Sequence, residues 1–268
     1  MRIARFRDDE GRLRAGVDQA DGTADVFASD QVLLDRQPTG ERVRIAERLA
    51  PLVPTNIFCI GLNYRRHAEE TGATLPEHPV LFMKPTSALN PPGAPIRLPA
   101  CALRGPEVDF EGELAVVVGR EGRNLSADRA LDHVLGYTIA NDVSARRWQK
   151  HAGGGQWIRG KGFDTFCPLG PVLVTADEIT DPQALGLRTE VNGTVMQDSH
   201  TSDMIFGVAK LLAFLSQDTT LLPGTTILTG TPEGVGFARK PPSWLRPGDE
   251  VGITIDGIGT LTNPVREA

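Results

Sequence analysis

Cysteine, lysine and long apolar runs are scarce in this sequence, and each shortage excludes something. No stretch of ~18 uncharged apolar residues occurs, so no membrane-spanning helix and no membrane partner are expected. Met1–Glu10 holds no apolar segment of the signal-peptide kind, which fits an expected cytoplasmic location. The three cysteines, Cys59, Cys101 and Cys167, are far apart and odd in number. With no C-x-x-C pair they support neither a zinc ribbon nor a disulfide framework. The net charge is −6 with no basic run. Nucleic acid is therefore not an expected partner, because phosphate recognition needs clustered Lys and Arg. No G-x-S-x-G elbow is present, which argues against a serine-triad hydrolase. Internal repeats and low-complexity tracts are absent too.

What is there is an ordinary globular composition, with 40% hydrophobic and 23% charged residues. A chain of 268 residues allows one large domain, or one with a small appendage. Its 29 glycines and 20 prolines favour a strand-and-loop protein over a helical bundle. The first 50 residues carry 9 arginines and 10 acidic residues, a denser charge than the rest. A small N-terminal domain over 1–52 and a larger one over 53–268 are expected from that shift.

Past Pro54 the pattern reads as short strands. Ile57–Leu62, Val80–Met83, Glu113–Val118 and Tyr137–Ile139 are apolar runs closed by turn residues or by a charge. Asn63 is placed to cap a short helix that Gly72 stops, and Ser126 to cap one over Ala127–Leu131. Asn192-Gly193 and Asp256-Gly257 each sit between two strand-like runs and predict hairpins. Ile205, Val208, Leu212 and Leu215 recur at helical spacing after Ser202. Many strands, few helices and no regular βαβ alternation point to a mixed α+β fold, mainly β.

Asp109-Phe-Glu111-Gly-Glu113 is the sharpest local feature. On one strand these three acids would share a face, with neighbours ~6.6 Å apart. That spacing suits a hard cation such as Mg²⁺, Mn²⁺ or Ca²⁺, or equally a solvated edge. Asp142 ends an apolar strand, as a ligand or as a turn cap. His67 and Glu70, three apart on a helix, form either an oriented general base or a surface pair. Lys161 lies in a run, Gly153-Gly-Gly-Gln-Trp-Ile-Arg-Gly-Lys161, that holds either an anion or nothing. Thr229-Gly-Thr-Pro-Glu-Gly-Val-Gly236 lacks the spacing of a phosphate loop, yet its amides and Thr231 suit a carboxylate if it is more than a plain turn.

In order along the chain, several motifs resemble the fumarylacetoacetate hydrolase family, over about Thr55 to Pro264. They are Gly-Leu-Asn-Tyr-Arg-Arg-His-Ala-Glu-Glu, Leu-Phe-Met-Lys-Pro, Asp-Phe-Glu-Gly-Glu-Leu-Ala-Val-Val-Val-Gly, Asn-Asp-Val-Ser-Ala-Arg, Gly-Lys-Gly-Phe-Asp-Thr-Phe-Cys-Pro and Leu-Thr-Gly-Thr-Pro-Glu-Gly-Val-Gly. The resemblance implies a mixed β-roll with a small N-terminal domain, usually a homodimer. It implies Mg²⁺ or Mn²⁺ on Glu111, Glu113 and Asp142, with Asp109 standing behind them. It implies a His67–Glu70 dyad on a lid and a catalytic Lys161. Arg146, Gln149 and Thr231 would bind a small-molecule oxoacid substrate.

The activity so implied is that of an acylpyruvate hydrolase, a metal-dependent enzyme that cleaves a C–C bond in a 2,4-dioxo acid such as acylpyruvate or fumarylpyruvate. The alternatives are oxaloacetate decarboxylation, or isomerisation or tautomerisation of a 2-hydroxydienoate, on the same site. A diketo sugar acid is a further substrate, and an inactive metal-binding scaffold a reading of another class. Two residues depart from the family pattern. Arg147 follows Arg146 where an acid is usual, and Gly162 follows Lys161 where a serine is frequent. The first is expected to favour a more anionic substrate or to alter a contact behind it, the second to loosen the loop.

Overall fold

Strand Gly112–Val118 shows how the fold is built, because every one of its side chains is buried. Leu114, Val116 and Val118 enter one hydrophobic core, while Ala115 and Val117 enter a second on the opposite face. Alternation along a strand gives two faces, and here both are covered. The computed structural model describes residues 1–33, 35–101, 107–151 and 155–268, so Gly153 and Gly154 of the glycine run lie outside the described residues.

Gly112–Val118 lies inside a 12-stranded sheet. It pairs antiparallel with Val134–Asn141 on one side and with Thr226–Leu228 on the other. Beyond Thr226–Leu228 the sheet continues through Ile57–Gly61, in parallel, and ends on Val80–Lys84. Beyond Val134–Asn141 it continues through Cys167–Thr175 to Arg2–Arg7. A five-stranded sheet runs Thr194–His200, Gly186–Val191, Glu250–Ile255, Gly259–Glu267 and Ile96–Leu98. Its Leu187, Val251, Ile253 and Leu261 share the first core with Leu114 and Val116. The architecture is mixed α+β and mainly β, as expected from the strand-rich pattern.

The helices are short: α1 (Arg65–Thr71), α2 (Arg146–Lys150), α3 (Trp157–Lys161) and α4 (Val208–Leu215). Both hairpins form at Asn192-Gly193 and Asp256-Gly257. Gly72 closes α1 in the left-handed conformation at φ 66, where glycine carries no Cβ strain. Asn63 does not cap α1. Its amide donates to the carbonyls of Phe206 and Thr229, and its Oδ1 accepts from the Phe206 amide, so it ties two loops together. The predicted helix after Ser202 starts only at Val208, whose free amide is taken by Gln183 Oε1 at 2.7 Å. Ser126 precedes turns and a short 3₁₀ segment at Ala130–His133 rather than an α-helix.

The described residues among the first 50 form five strands, of which Arg2–Arg7 pairs antiparallel with Cys167–Thr175. Ile3, Ala15 and Phe27 from this segment pack in one core with Ile57, Ala115 and Leu228. Among the described residues no helix is long and apolar enough to cross a membrane.

Candidate active site

The acidic run does not lie on one strand. Val108–Asp109 is a two-residue strand paired with Ser144–Ala145, and the long strand begins only at Gly112. Between them the Glu111 amide donates to Asn141 Oδ1 at 3.0 Å, and its carbonyl accepts from the Asp142 amide. This break parts Asp109 from the other two acids. Glu111, Glu113 and Asp142 converge, with one oxygen from each lying within 4.8 Å of the others. All three are buried.

Gly112 lets the second sheet reach this point. A Cβ there would stand 2.2 Å from Thr189 Oγ1. Its amide donates to Gln197 Oε1 at 3.0 Å, and Gln197 in turn donates to Thr231 Oγ1 at 2.8 Å.

Three buried cations face the carboxylates. Lys161, at the end of α3, donates to Glu111 at 2.8 Å, to Asp142 at 2.6 Å and to the Ser144 hydroxyl at 2.7 Å. Lys84 reaches the other oxygen of Asp142 at 2.7 Å and also donates to the carbonyls of Val143 and Lys161. Arg146, at the start of α2, grips Asp109 at 2.8 Å and Glu111 at 2.7 Å, and donates to Gln149 Oε1 at 3.0 Å.

Asp109 is thus the acid that orients Arg146. It also accepts the amides of Gly236 and Phe237.

Electrostatics follow from this layout. Burial disfavours the Glu111 anion, but Lys161 and Arg146 outweigh that and hold its carboxyl well below its ordinary value. Burial likewise opposes the Lys161 charge, and Asp142 and Glu111 outweigh it and raise the ammonium. Glu113 is the exception. Burial, then the charges of Asp142 and Glu111, push its carboxyl well above the usual range. Its one hydrogen bond among the described residues is the Gly230 amide at 2.7 Å. Among the described residues, four buried carboxyl groups therefore face three buried cations, and Glu113 is the one held against ionisation. A hard divalent cation on Glu111, Glu113 and Asp142 fits that donor set and that charge.

The glycine-rich turn is more than a plain turn, and the carboxylates on its amides are the site's own. The Gly230 amide holds Glu113, the Gly234 amide holds Glu70 at 3.0 Å, and the Gly236 amide holds Asp109 at 2.7 Å. Gly234 has φ 95, and a Cβ there would meet the Met196 carbonyl oxygen at 2.1 Å. Only glycine fits that position. Thr231 has its hydroxyl committed: it donates to the Gly112 carbonyl and accepts from Gln197.

Across the site, His67 and Glu70 face each other on α1, with Nδ1 and the carboxylate 3.2 Å apart. His67 is buried and stands edge-on to the Phe237 ring, 6.3 Å away. A cavity of about 300 Å³ joins the parts, lined among others by His67, Glu111, Arg146, Gln149, Lys161 and Thr231. Six sequence candidates thus meet here, Glu70 is paired to His67, and Glu113 and Asp142 converge on Glu111. A larger groove of about 730 Å³ lies beyond Trp157, which borders both, but no carboxylate among the described residues lines it.

Three more residues belong to the site. Lys84 was legible in part, since alternation from buried Phe82 turns it inward on Val80–Lys84. Phe237 and Lys150 also line the cavity. No pattern in the sequence marked Phe237, which a short 3₁₀ segment at Gly236–Ala238 places there.

Both departures from the family pattern are placed by the structure. Arg147 pairs with Glu107 at 2.6 Å and does not line the cavity. At Gly162 a Cβ would stand 2.7 Å from the Ile158 carbonyl oxygen and 2.9 Å from Pro85, so this glycine packs the end of α3 tightly rather than loosening a loop.

A buried carboxylate cluster that could hold a metal ion thus lies opposite an oriented histidine on a mainly β scaffold. The model of the fumarylacetoacetate hydrolase C-terminal domain matches residues 56–266, and the chain belongs to that family. It is 50% identical over 218 residues to a mitochondrial oxaloacetate tautomerase of Xenopus laevis, covering 81% of this chain and 67% of that one. A solved structure titled 2-hydroxyhepta-2,4-diene-1,7-dioate isomerase, from Mycobacterium marinum, is 44% identical with a TM-score of 0.84, over 100% of this chain and 98% of that one. The fumarylacetoacetate hydrolase of Exiguobacterium antarcticum is 38% identical with a TM-score of 0.88, over 100% of both chains.

Proposed function

We propose that this protein is a divalent-metal-dependent tautomerase or isomerase that interconverts the enol and keto forms of a 2-oxoacid of the oxaloacetate type. The observation that carries this reading is one cavity of about 300 Å³ lined by His67, Glu111, Arg146 and Lys161, with Glu70 paired to His67 and with Glu113 and Asp142 converging on Glu111. Glu111, Glu113 and Asp142 would hold Mg²⁺ or Mn²⁺, which when bound supplies Lewis-acid polarisation of the 2-oxo group. The names of the Xenopus and Mycobacterium marinum relatives favour proton shuttling over cleavage.

The residues divide the work. Ketonisation adds a proton at C3 and removes one from the 2-hydroxyl oxygen, with no water consumed. His67 is placed to carry that proton at Nε2, because Nδ1 is engaged by Glu70. Glu70 is itself fixed by the Gly234 amide, so the ring is held in one orientation. Arg146 and Lys161 stay charged and stabilise the oxygens on which negative charge grows. Thr71 of α1 and Phe237 line the same cavity.

A second reading keeps the same residues. His67 would take a proton from water instead, and a 2,4-dioxo acid such as an acylpyruvate would be cleaved, as the name of the Exiguobacterium relative favours. Purified protein, assayed with enol oxaloacetate and with acetylpyruvate, separates the two. Chelator-sensitive ketonisation without CO₂ release supports the tautomerase. Cleavage of acetylpyruvate to pyruvate with no ketonisation replaces it with the hydrolase. A homodimer and a cytoplasmic location complete the proposal, and sedimentation at assay concentration tests the former.

A further inference from the structure

Phe237 carries two cations. The guanidinium carbon of Arg146 lies 4.5 Å from the ring centroid and the ammonium of Lys150 lies 3.5 Å from it, both within cation–π range. The two differ in their other partners. Arg146 is spent on Asp109, Glu111 and Gln149. Lys161 is likewise spent on Glu111, Asp142 and Ser144. Lys150 has no carboxylate partner among the described residues, although it lines the same cavity. It ends α2 in an exposed position, one residue after buried Gln149, and so stands at the cavity mouth.

We propose that Lys150 forms a subsite for a second carboxylate, so that the site selects 2-oxo dicarboxylic acids over monocarboxylic ones. The inference rests on the tautomerase reading for its reaction, though not for its binding. The oxoacid end of a substrate would lie over the cluster and Arg146. A carboxylate at its far end would meet Lys150, a lining cation with no direct ion pair among the described residues. Burial and the nearby Arg146 charge lower the Lys150 ammonium from its ordinary value, and an anion bound there relieves that cost. The Phe237 face fixes the ammonium without neutralising it, so the donors turned away from the ring remain for an oxygen ligand. Each of the three relatives described above carries a diacid in its name, which agrees with the class.

The experiment compares enol oxaloacetate with its 4-methyl ester, which keeps the shape and removes the far charge. Wild type, Lys150→Met and Lys150→Arg are assayed with Mg²⁺. A charge-assisted contact makes the wild-type KM lower for the diacid by about tenfold or more. Lys150→Met removes that preference by raising the diacid KM with little change in kcat, and Lys150→Arg restores most of it. Equal KM changes on diacid and ester, or none on the diacid, overturn the subsite. Calorimetric binding of 2-oxoglutarate and 2-oxovalerate to the Mg²⁺-loaded protein reads the subsite without turnover. If wild type ketonises neither enol but still binds 2-oxoglutarate more tightly, with the preference lost in Lys150→Met, the tautomerase reading fails and the subsite stands. No preference for 2-oxoglutarate in wild type overturns the subsite.

Discussion

In the first 50 residues, charges pair in water. Arg42 meets Asp25 at 2.6 Å and Arg12 meets Glu10 at 2.9 Å, with the side chains largely exposed. Around residues 84–161 the same kinds of groups pair out of water: Lys84 with Asp142 at 2.7 Å, with side chains 0% and 1% exposed. Contact distances are alike, yet the consequences differ. An exposed pair exchanges solvation for a weak attraction and nets little. A buried ion cannot lose its partner without standing uncompensated in a low dielectric. Charge density along a sequence therefore says where solvent is, while charge inside apolar strands says where chemistry is.

Lys84→Met breaks that comparison most sharply. It leaves Asp142 with one ammonium instead of two and should cost about 3–5 kcal/mol in urea unfolding of chelated protein. A cost near that of a surface pair would show that burial is not what separates the two regions. His67→Ala should leave stability nearly unchanged while lowering kcat about 10²–10⁴-fold. Full turnover in that variant would remove the dyad from the mechanism.

Asp8 is an intermediate case in the charged N-terminal segment. Its burial opposes the anion, but hydrogen bonds from Arg12, Arg14 and the Glu10 amide outweigh this and bring it from 3.8 to about 2. A folded value below the unfolded one contributes stability above 3.8 that is lost as pH falls towards 2. Asp8→Asn should lower Tm at neutral pH and flatten the acid limb of a Tm-against-pH curve. An unchanged acid limb would place Asp8 with the plain surface pairs. Smallest of all, Arg42→Ala should shift unfolding by no more than ~0.5 kcal/mol, less still in high salt. A larger, salt-independent loss would mean the N-terminal pairs act as the buried ones do.

Much of this was legible beforehand, for identifiable reasons. Hairpins at Asn-Gly and Asp-Gly depend on two residues' backbone preferences, which a local reading captures. Strand existence along Gly112–Val118 followed from its apolar run. The meeting of His67, Glu111, Glu113, Asp142, Arg146 and Lys161 came through family resemblance, because no local pattern joins residues so distant in sequence. Local rules failed where tertiary partners took over. Asn63 has the chemistry of a cap, but its amide is worth more between two loops that lack partners. Asp109, Glu111 and Glu113 alternate as a strand should, yet the Asn141 side chain bonds the Glu111 amide and breaks the ladder. The glycine-rich turn drew attention as a ligand site, and its amides serve carboxylates from three other segments.

The central claim is that Glu111, Glu113 and Asp142 hold one divalent cation. Anomalous diffraction from crystals grown with Mn²⁺ tests it most directly. The account predicts one strong peak bonded to an oxygen of each of these three residues, with Glu113 ionised. Well-ordered crystals at saturating Mn²⁺ that show no peak there, and Lys161 still paired with Glu111 and Asp142, would contradict it.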